Sequence, residues 1–426
     1  MHHAATPRLR ETHDDTAEIV STLLADFGPH NFQVRLWNGY VWGERARPAF
    51  ILSLNHPRVL RTLYWSPSEL SLGESYLRGD FEVDGDLEAA FDVADYLLRK
   101  RSHHHPRSNF PGLIRWLASE PQSVRRPLEM AGALHSRERD RQAVTFHYNL
   151  PSEFYALWLD ARMVYSCAYF QKPADTLDVA QGNKLDYICR KLRLRSGDRL
   201  LDIGCGWGSL VLYAAAAYGA QAVGITLSEP QADWAMRTIR SQGLEDRCRV
   251  QVRDYRELDG SSGFDKIVSV GMVEHVGKSR LPDYFRRVWQ MLKPGGVFLN
   301  HGISQSATYQ RHGPSFIDRY VFPDGELVPV STTLGAAEQS GFEVRDVENL
   351  REHYAMTLRH WLTRLERNAN QAQRITNEAT YRCYRIYLAG SAHAFRTGRL
   401  NLHQALLARP ERGASGLPLT RSDWYR

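Results

Sequence analysis

Cysteine is scarce and unpaired in this chain. Cys167, Cys189, Cys205, Cys248 and Cys383 are odd in number and show no C-x-x-C spacing, which argues against a disulfide framework or a zinc knuckle. No uninterrupted apolar run reaches the roughly 18 residues of a membrane-spanning helix. The N-terminus carries His2, His3 and several charges but no apolar signal-peptide core. A cytoplasmic location is the expectation. Aromatic modules of the RNA-binding kind are absent too. A glycine is also missing at one telling place. In the stretch 199–210, Gly204, Gly206 and Gly208 follow the apolar Leu200, Leu201 and Ile203, but Ser209 stands where a dinucleotide fingerprint needs its third glycine.

What that stretch does contain is a strand end, a glycine turn and the start of an Ala-rich helix over 210–218. Without Cβ atoms the turn lets a ligand approach the backbone, so the unit reads as a nucleotide-type cradle. The strands expected around it are 222–225, 249–252, 266–270 and 296–300, alternating with helices over 179–192, 229–241 and 282–292. This alternation predicts an α/β, doubly wound, mostly parallel sheet. Ligands on such sheets sit beyond the carboxyl ends of the strands. Thr226-Leu227-Ser228, Asp254-Tyr255, Glu274-His275 and His301-Gly302-Ile303 all fall there.

The 426 residues leave room for two or three domains. Residues up to about 26 read as a flexible or marginally helical lead. A hairpin around Asn38-Gly39, a short strand at 50–54 and helices over 57–65 and 87–98 then make residues 1–98 a small α+β domain with a docking or lipid-facing role. Residues 99–141 read as a basic, proline-containing linker with ten Lys/Arg against four Asp/Glu. His103-His104-His105 within it reads as solvated loop and not as a metal site, and 113–117 as a short amphipathic piece. Residues 142–426 form the catalytic domain. Its end, from Arg351 onward, carries thirteen Arg against five acids, so the overall +6 is unevenly spread and the remainder is net acidic. Two basic regions beside an acidic unit suggest an anionic surface as partner.

In order and spacing these motifs resemble the cyclopropane-fatty-acid synthase family of S-adenosylmethionine-dependent methyltransferases. The resemblance rests on His147-Tyr148, the run 165–170, the run 202–208, the run 224–228 with Gln231, Glu274-His275-Val276-Gly277 and Lys293-Pro294-Gly295-Gly296. Later matches are the run 316–320, His353-Tyr354 with Thr357-Leu358, and the run 395–398. Residues 72–87 are similar to the extra N-terminal domain of the long bacterial synthases. The resemblance implies a class I, Rossmann-like methyltransferase domain and transfer of a methylene across a cis double bond of an unsaturated membrane phospholipid. It implies peripheral membrane association and no nucleic-acid partner, and it allows a homodimer.

By the same resemblance, Tyr165, Ser166, Asp202, Gly204, Gly206, Gly208, Thr226, Leu227, Gln231 and Tyr255 hold S-adenosylmethionine. Cys167, Glu274, His301, the backbone of Ile303 and Tyr354 hold a bicarbonate ion that serves as general base. Aromatics such as Tyr169, Phe170 and Tyr320 exclude water from a carbocation, which water would trap as an alcohol. Taken singly, each of these residues has an ordinary structural reading, Cys167 as a small buried hydrophobe and Tyr354 as core. Their force lies in the ordered set. Related outcomes of the same chemistry are a methyl-branched, methylene or hydroxylated chain, and a catalytically silent lipid-binding homologue is the rival of a different class.

Overall fold

The computed structural model describes residues 7–28, 31–44, 46–65, 67–101, 132–148, 150–260, 263–309 and 315–425. The expected linker lies mostly outside them, as do His103-His104-His105 and the piece 113–117. Only its two ends are described. They close the helix Leu87–Arg101 and open the helix Arg137–Tyr148. The described chain gathers into two compact units.

The first unit holds residues up to 101 together with 315–320 and 378–393. Among its described residues a four-stranded sheet runs in the order β2-β1-β3-β4, with β1 Gln33–Leu36, β2 Val41–Gly43, β3 Phe50–Leu54 and β4 Phe81–Gly85. The hairpin forms where Asn38-Gly39 predicts it, and the Asn38 side chain accepts the Tyr40 N–H at 3.0 Å. The expected lead, of the two forms read for it, takes the helical one over Pro7–Leu24, anchored by buried Ile19, Val20 and Leu24. Residues 1–98 do not make up this unit alone. The Glu69 carboxylate accepts from the Ser315 hydroxyl at 3.0 Å and the Phe316 N–H at 3.2 Å. Arg382 donates to the Tyr76 carbonyl at 2.6 Å and pairs with Glu82 at 2.5 Å. His393 meets Asp95 at 2.7 Å.

The second unit is built on a seven-stranded sheet among the described residues. Its strands are β5 Arg199–Ile203, β6 Gln221–Thr226, β7 Cys248–Val252, β8 Phe264–Val270, β9 Leu292–Gln305, β10 Glu343–Asn349 and β11 Leu400–Ala408, in the order β10-β11-β9-β8-β5-β6-β7. From β7 to β9 the neighbours are parallel, while β11 runs antiparallel to both β9 and β10. Alternate residues of a strand point to opposite faces. Accordingly Leu200, Val297, Leu299 and Leu406 join one apolar cluster with the helices Leu177–Leu192, Ser209–Tyr218 and Glu229–Ser241. Leu201, Phe298, Ala405 and Leu407 join another with the helices Leu281–Met291 and Val330–Gln339. Both faces are covered, as a parallel sheet requires. The five parallel strands match the expected ones. The antiparallel pair β10 and β11 had no counterpart in the sequence reading, and β9 is longer at both ends than 296–300.

Candidate active site

The glycine turn after β5 is held by the end of β6, because the N–H groups of Gly204 and Cys205 both donate to the Ile225 carbonyl at 2.9 Å. It forms one wall of a cleft of about 150 Å³. Nine of the ten expected cofactor residues line this cleft: Tyr165, Ser166, Asp202, Gly204, Gly206, Thr226, Leu227, Gln231 and Tyr255. Gly208 does not. It caps the following helix, and a Cβ there would meet that of Ala235 at 2.9 Å, so its bareness serves helix packing.

Among the charged residues lining the cleft is Asp202, near the end of β5. Its carboxyl is buried, and Oδ1 has no hydrogen-bond partner among the described residues. Burial pushes it up to about 7, against the pull of Lys184. The Lys184 ammonium, itself pushed down to about 8 by burial, donates to Ser166 Oγ at 2.8 Å. After β6, the Thr226 hydroxyl donates to Gln231 Oε1 at 2.9 Å and accepts the Ser228 N–H at 3.2 Å. After β7, Asp254 clamps Arg256 at 2.6 and 2.9 Å, and the Tyr255 ring stands edge-on to Tyr284 at 5.4 Å. Next to the lining residue Tyr165, His147 Nδ1–H donates to the Val321 carbonyl at 2.9 Å. This leaves Nε2 to accept the Tyr165 hydroxyl at 3.2 Å. Burial lowers His147 to about 3, so it stays neutral. The Tyr165 ring is packed by Trp158 at 5.1 Å and Trp361 at 5.3 Å.

The five expected ion-holding residues lie off the cleft lining, and among them Glu274 and Ile303 are bonded directly. Glu274 sits in the short turn Val273–His275 after β8. Its Oε1 accepts the Ile303 N–H at 2.6 Å. Gly302 permits this, because a Cβ there would strike Val273 Cγ1 at 2.3 Å and lift the turn from β9. The Ile303 amide therefore positions Glu274 and is not free for an ion. His301, two residues earlier on β9, is fully buried and bonded through Nδ1 to Gln404 at 3.0 Å across the β9–β11 ladder. Burial pushes it well below the usual histidine range. Glu274 Oε2 and His301 Nε2 are both buried with no partner among the described residues. Burial raises the Glu274 carboxyl to about 7.

Cys167 and Tyr354 both meet the start of the helix Arg351–Arg367. The Cys167 thiol lies 3.8 Å from the Leu350 carbonyl, and Leu350 N–H donates to the Leu402 carbonyl, the register partner of Ile303. Tyr354 follows one turn later, its ring against Phe395 at 4.6 Å. The motif 165–170 is fastened to the same helix. Ala168 N–H donates to Thr357 Oγ1 and Phe170 N–H to His353 Nδ1, both at 3.0 Å. Tyr169 stacks on His353 at 4.8 Å and Phe170 on His360 at 5.5 Å. Tyr320 belongs to the first unit, where its hydroxyl donates to Glu74 at 2.9 Å.

Three side chains of the site escaped the sequence reading. Lys184 and Lys191 sit on the buried stripe of their helix with Gln181, Leu185, Ile188 and Leu192, and charges at such positions were the available signal. Gln404 interrupts the apolar β11 in the same way. His275, unassigned from sequence, lines the cleft, and burial lowers it to about 4.

The family described as mycolic acid cyclopropane synthetase matches residues 135–405. A probable fatty acid methyltransferase of Pseudomonas putida is 40% identical over 399 residues, covering 92% of this chain and 96% of its own. The cyclopropane-fatty-acyl-phospholipid synthase of Escherichia coli is 37% identical over 345 residues, covering 80% of this chain and 83% of its own. The solved structure of mycolic acid cyclopropane synthase CmaA1 complexed with SAH and CTAB is 34% identical, with a TM-score of 0.60, over 63% of this chain and 97% of that one.

Proposed function

The chain belongs to the mycolic acid cyclopropane synthetase family, and on that premise we propose that it transfers a methylene from S-adenosylmethionine across a cis double bond in an acyl chain of an unsaturated phospholipid. Its second unit is a class I methyltransferase fold, and it is an S-adenosylmethionine-dependent methyltransferase of the lipid-modifying kind. The observation that carries the finer reading is the pair of unpartnered buried atoms, Glu274 Oε2 and His301 Nε2. Ring closure on an alkene calls for a proton acceptor and a hydrogen-bond donor held together away from water, because the methyl group that the alkene accepts must afterwards lose a proton.

S-adenosylmethionine supplies an electrophilic methyl on a sulfonium. The residues fit it. The bare turn at Gly204 and Gly206 admits its amino-acid end, the unpaired Asp202 carboxyl suits its ammonium, Thr226 and Gln231 offer hydroxyl partners, and Tyr255 offers a flat face for adenine. Bicarbonate, when bound, supplies a general base. Glu274 and His301 would hold it through their two unpartnered atoms, with Ile303 acting through Glu274. The chain's part is to orient the alkene against the methyl, to fix the proton acceptor and to keep water away behind Tyr169 and Phe170.

Lipids from cells producing the protein should gain one CH2 in mass, and proton NMR should show cyclopropyl resonances. A mass gain with two further hydrogens would instead favour a saturated methyl branch. Unaltered lipids would leave a silent lipid-binding protein.

Asp202 gives cofactor binding a pH dependence. A bound ammonium favours the carboxylate, so the empty site must release a proton wherever Asp202 holds one. Below about 7 the Kd for adenosylmethionine should therefore rise toward tenfold per pH unit, and above it level off. Calorimetry across that range checks this, and a flat profile would place Asp202 away from the ammonium.

No helix among the described residues is long and apolar enough to cross a membrane. Access to phospholipid is proposed to come from a basic surface, so binding to anionic vesicles should fall as salt rises. Lys100 is a poor probe of that surface. Its ammonium donates to the Thr22 and Leu23 carbonyls and the Tyr96 hydroxyl, and pairs with Asp26 at 3.3 Å. Charge reversal of Arg125 and Arg126, outside the described residues, is the better test. Salt-independent binding would point to apolar anchoring.

A further inference from the structure

The hydrogen bonds behind His301 have directions that can be worked out. Lys191 is fully buried on the helix Leu177–Leu192, with Nζ 2.5 Å from Glu348 Oε2 and 3.7 Å from Asp346 Oδ2. Burial lowers its pKa, while the two carboxylates beside it favour the ammonium, which only donates. It also lies 2.9 Å from Gln404 Oε1. The Gln404 carbonyl must therefore face Lys191, and its amide nitrogen must face His301. That nitrogen, 3.0 Å from His301 Nδ1, has only protons to offer. Nδ1 must then be the bare, accepting nitrogen, and the single ring proton of neutral His301 is on Nε2. Nε2 is the atom left without a partner among the described residues.

We infer that Gln404, oriented by Lys191, is a positioning residue that locks His301 in the Nε2–H tautomer, so that His301 enters the reaction as a hydrogen-bond donor and never as the proton acceptor. The fold provides the arrangement directly: His301 and Gln404 are cross-strand partners on β9 and β11, and β10 brings Glu348 and Asp346 to Lys191. Burial keeps the ring neutral, which makes tautomer choice, not charge, the controlled variable. A donor here suits an anion or a developing negative charge, and it leaves Glu274 to deal with protons. The catalytic consequence rests on the function proposed above, whereas the tautomer does not.

The test is NMR of the full-length protein with nitrogen-15 histidine, the His301 signals being assigned by their loss in His301→Gln. The native protein should show His301 Nε2 in the protonated range and Nδ1 in the unprotonated range. Gln404→Glu replaces the amide donor by an acceptor and should move the proton to Nδ1. Turnover should fall roughly 10–100-fold, as for other residues that orient a functional ligand from behind, with adenosylmethionine affinity unaltered. Should that variant not fold, Lys191→Met frees the amide to turn over and should yield a mixture of tautomers. A native His301 protonated on Nδ1, or tautomers indifferent to both substitutions, would overturn the inference. A shifted tautomer with native turnover would instead remove His301 from the proposed reaction.

Discussion

Glu274→Gln is expected to slow turnover by about a hundredfold or more, roughly 3 kcal/mol, while adenosylmethionine binds almost as before. Glutamine keeps the shape of the site, because its carbonyl can still accept the Ile303 N–H that now meets Oε1 at 2.6 Å. What is lost is the ionisable oxygen at the unpartnered position. With its carboxyl pushed up to about 7, the native enzyme should gain turnover as pH rises through that value, since the carboxylate is the form that can accept a proton or hold the O–H of an anion. The variant should lack that limb of the profile. Cofactor affinity is spared because Glu274 does not line the cleft. If bicarbonate is the base, depleting carbonate should slow the native enzyme and slow Glu274→Gln proportionally less, since that site already holds the ion poorly. Equal native rates in carbonate-free and bicarbonate-supplemented buffer would eliminate the ion, and Glu274 or Tyr354 would have to act directly.

Gly206→Ala should weaken adenosylmethionine binding at least about tenfold, 1.4 kcal/mol or more, in a protein that still folds. Gly206 has φ +54, where an alanine costs roughly 1–2 kcal/mol. No protein atom lies within 4 Å of the added methyl. The methyl therefore strikes nothing in the fold and stands where a ligand must come close. Gly208→Ala makes the contrast. Its methyl would press on Ala235, so it should cost stability, about 1–3 kcal/mol by overpacking, before it costs affinity. Calorimetry and thermal melts on both variants separate the two effects. Native affinity in a folded Gly206→Ala protein would make the turn purely structural.

The contrast between these neighbouring glycines marks how far the sequence could be read. A G-x-G-x-G turn announces close approach, but which glycine faces ligand and which faces a helix depends on Ala235, which lies on a later helix. Strands β5 to β9 were legible because buried parallel strands are continuous apolar runs bounded by turns. The strand Glu343–Asn349 was not, being mostly charged or polar with only Asp346 fully buried. Ile303 shows the same limit at the site. Its position in the motif is readable, but the fact that its amide is already used by Glu274 needs the turn and strand together. Lys191 and Gln404 were hidden because a polar residue in an apolar stripe signals that something is satisfied there, without naming the partner 213 positions away.

The pieces 315–320 and 378–393 in the first unit bear on how the chain acquires its structure during synthesis. Domains made from one continuous stretch can close as soon as that stretch leaves the ribosome. Here residues 7–101 must wait for His393 before their unit is complete. The sheet of the second unit waits longer still, since β11, which follows β9 and β10 in sequence, is the strand inserted between them. Until then β9 is an open, apolar edge of the kind that recruits other chains. Neither unit can thus close until residues late in this sequence have been made. Stopping synthesis before residue 378 should therefore yield aggregate in place of a folded N-terminal fragment.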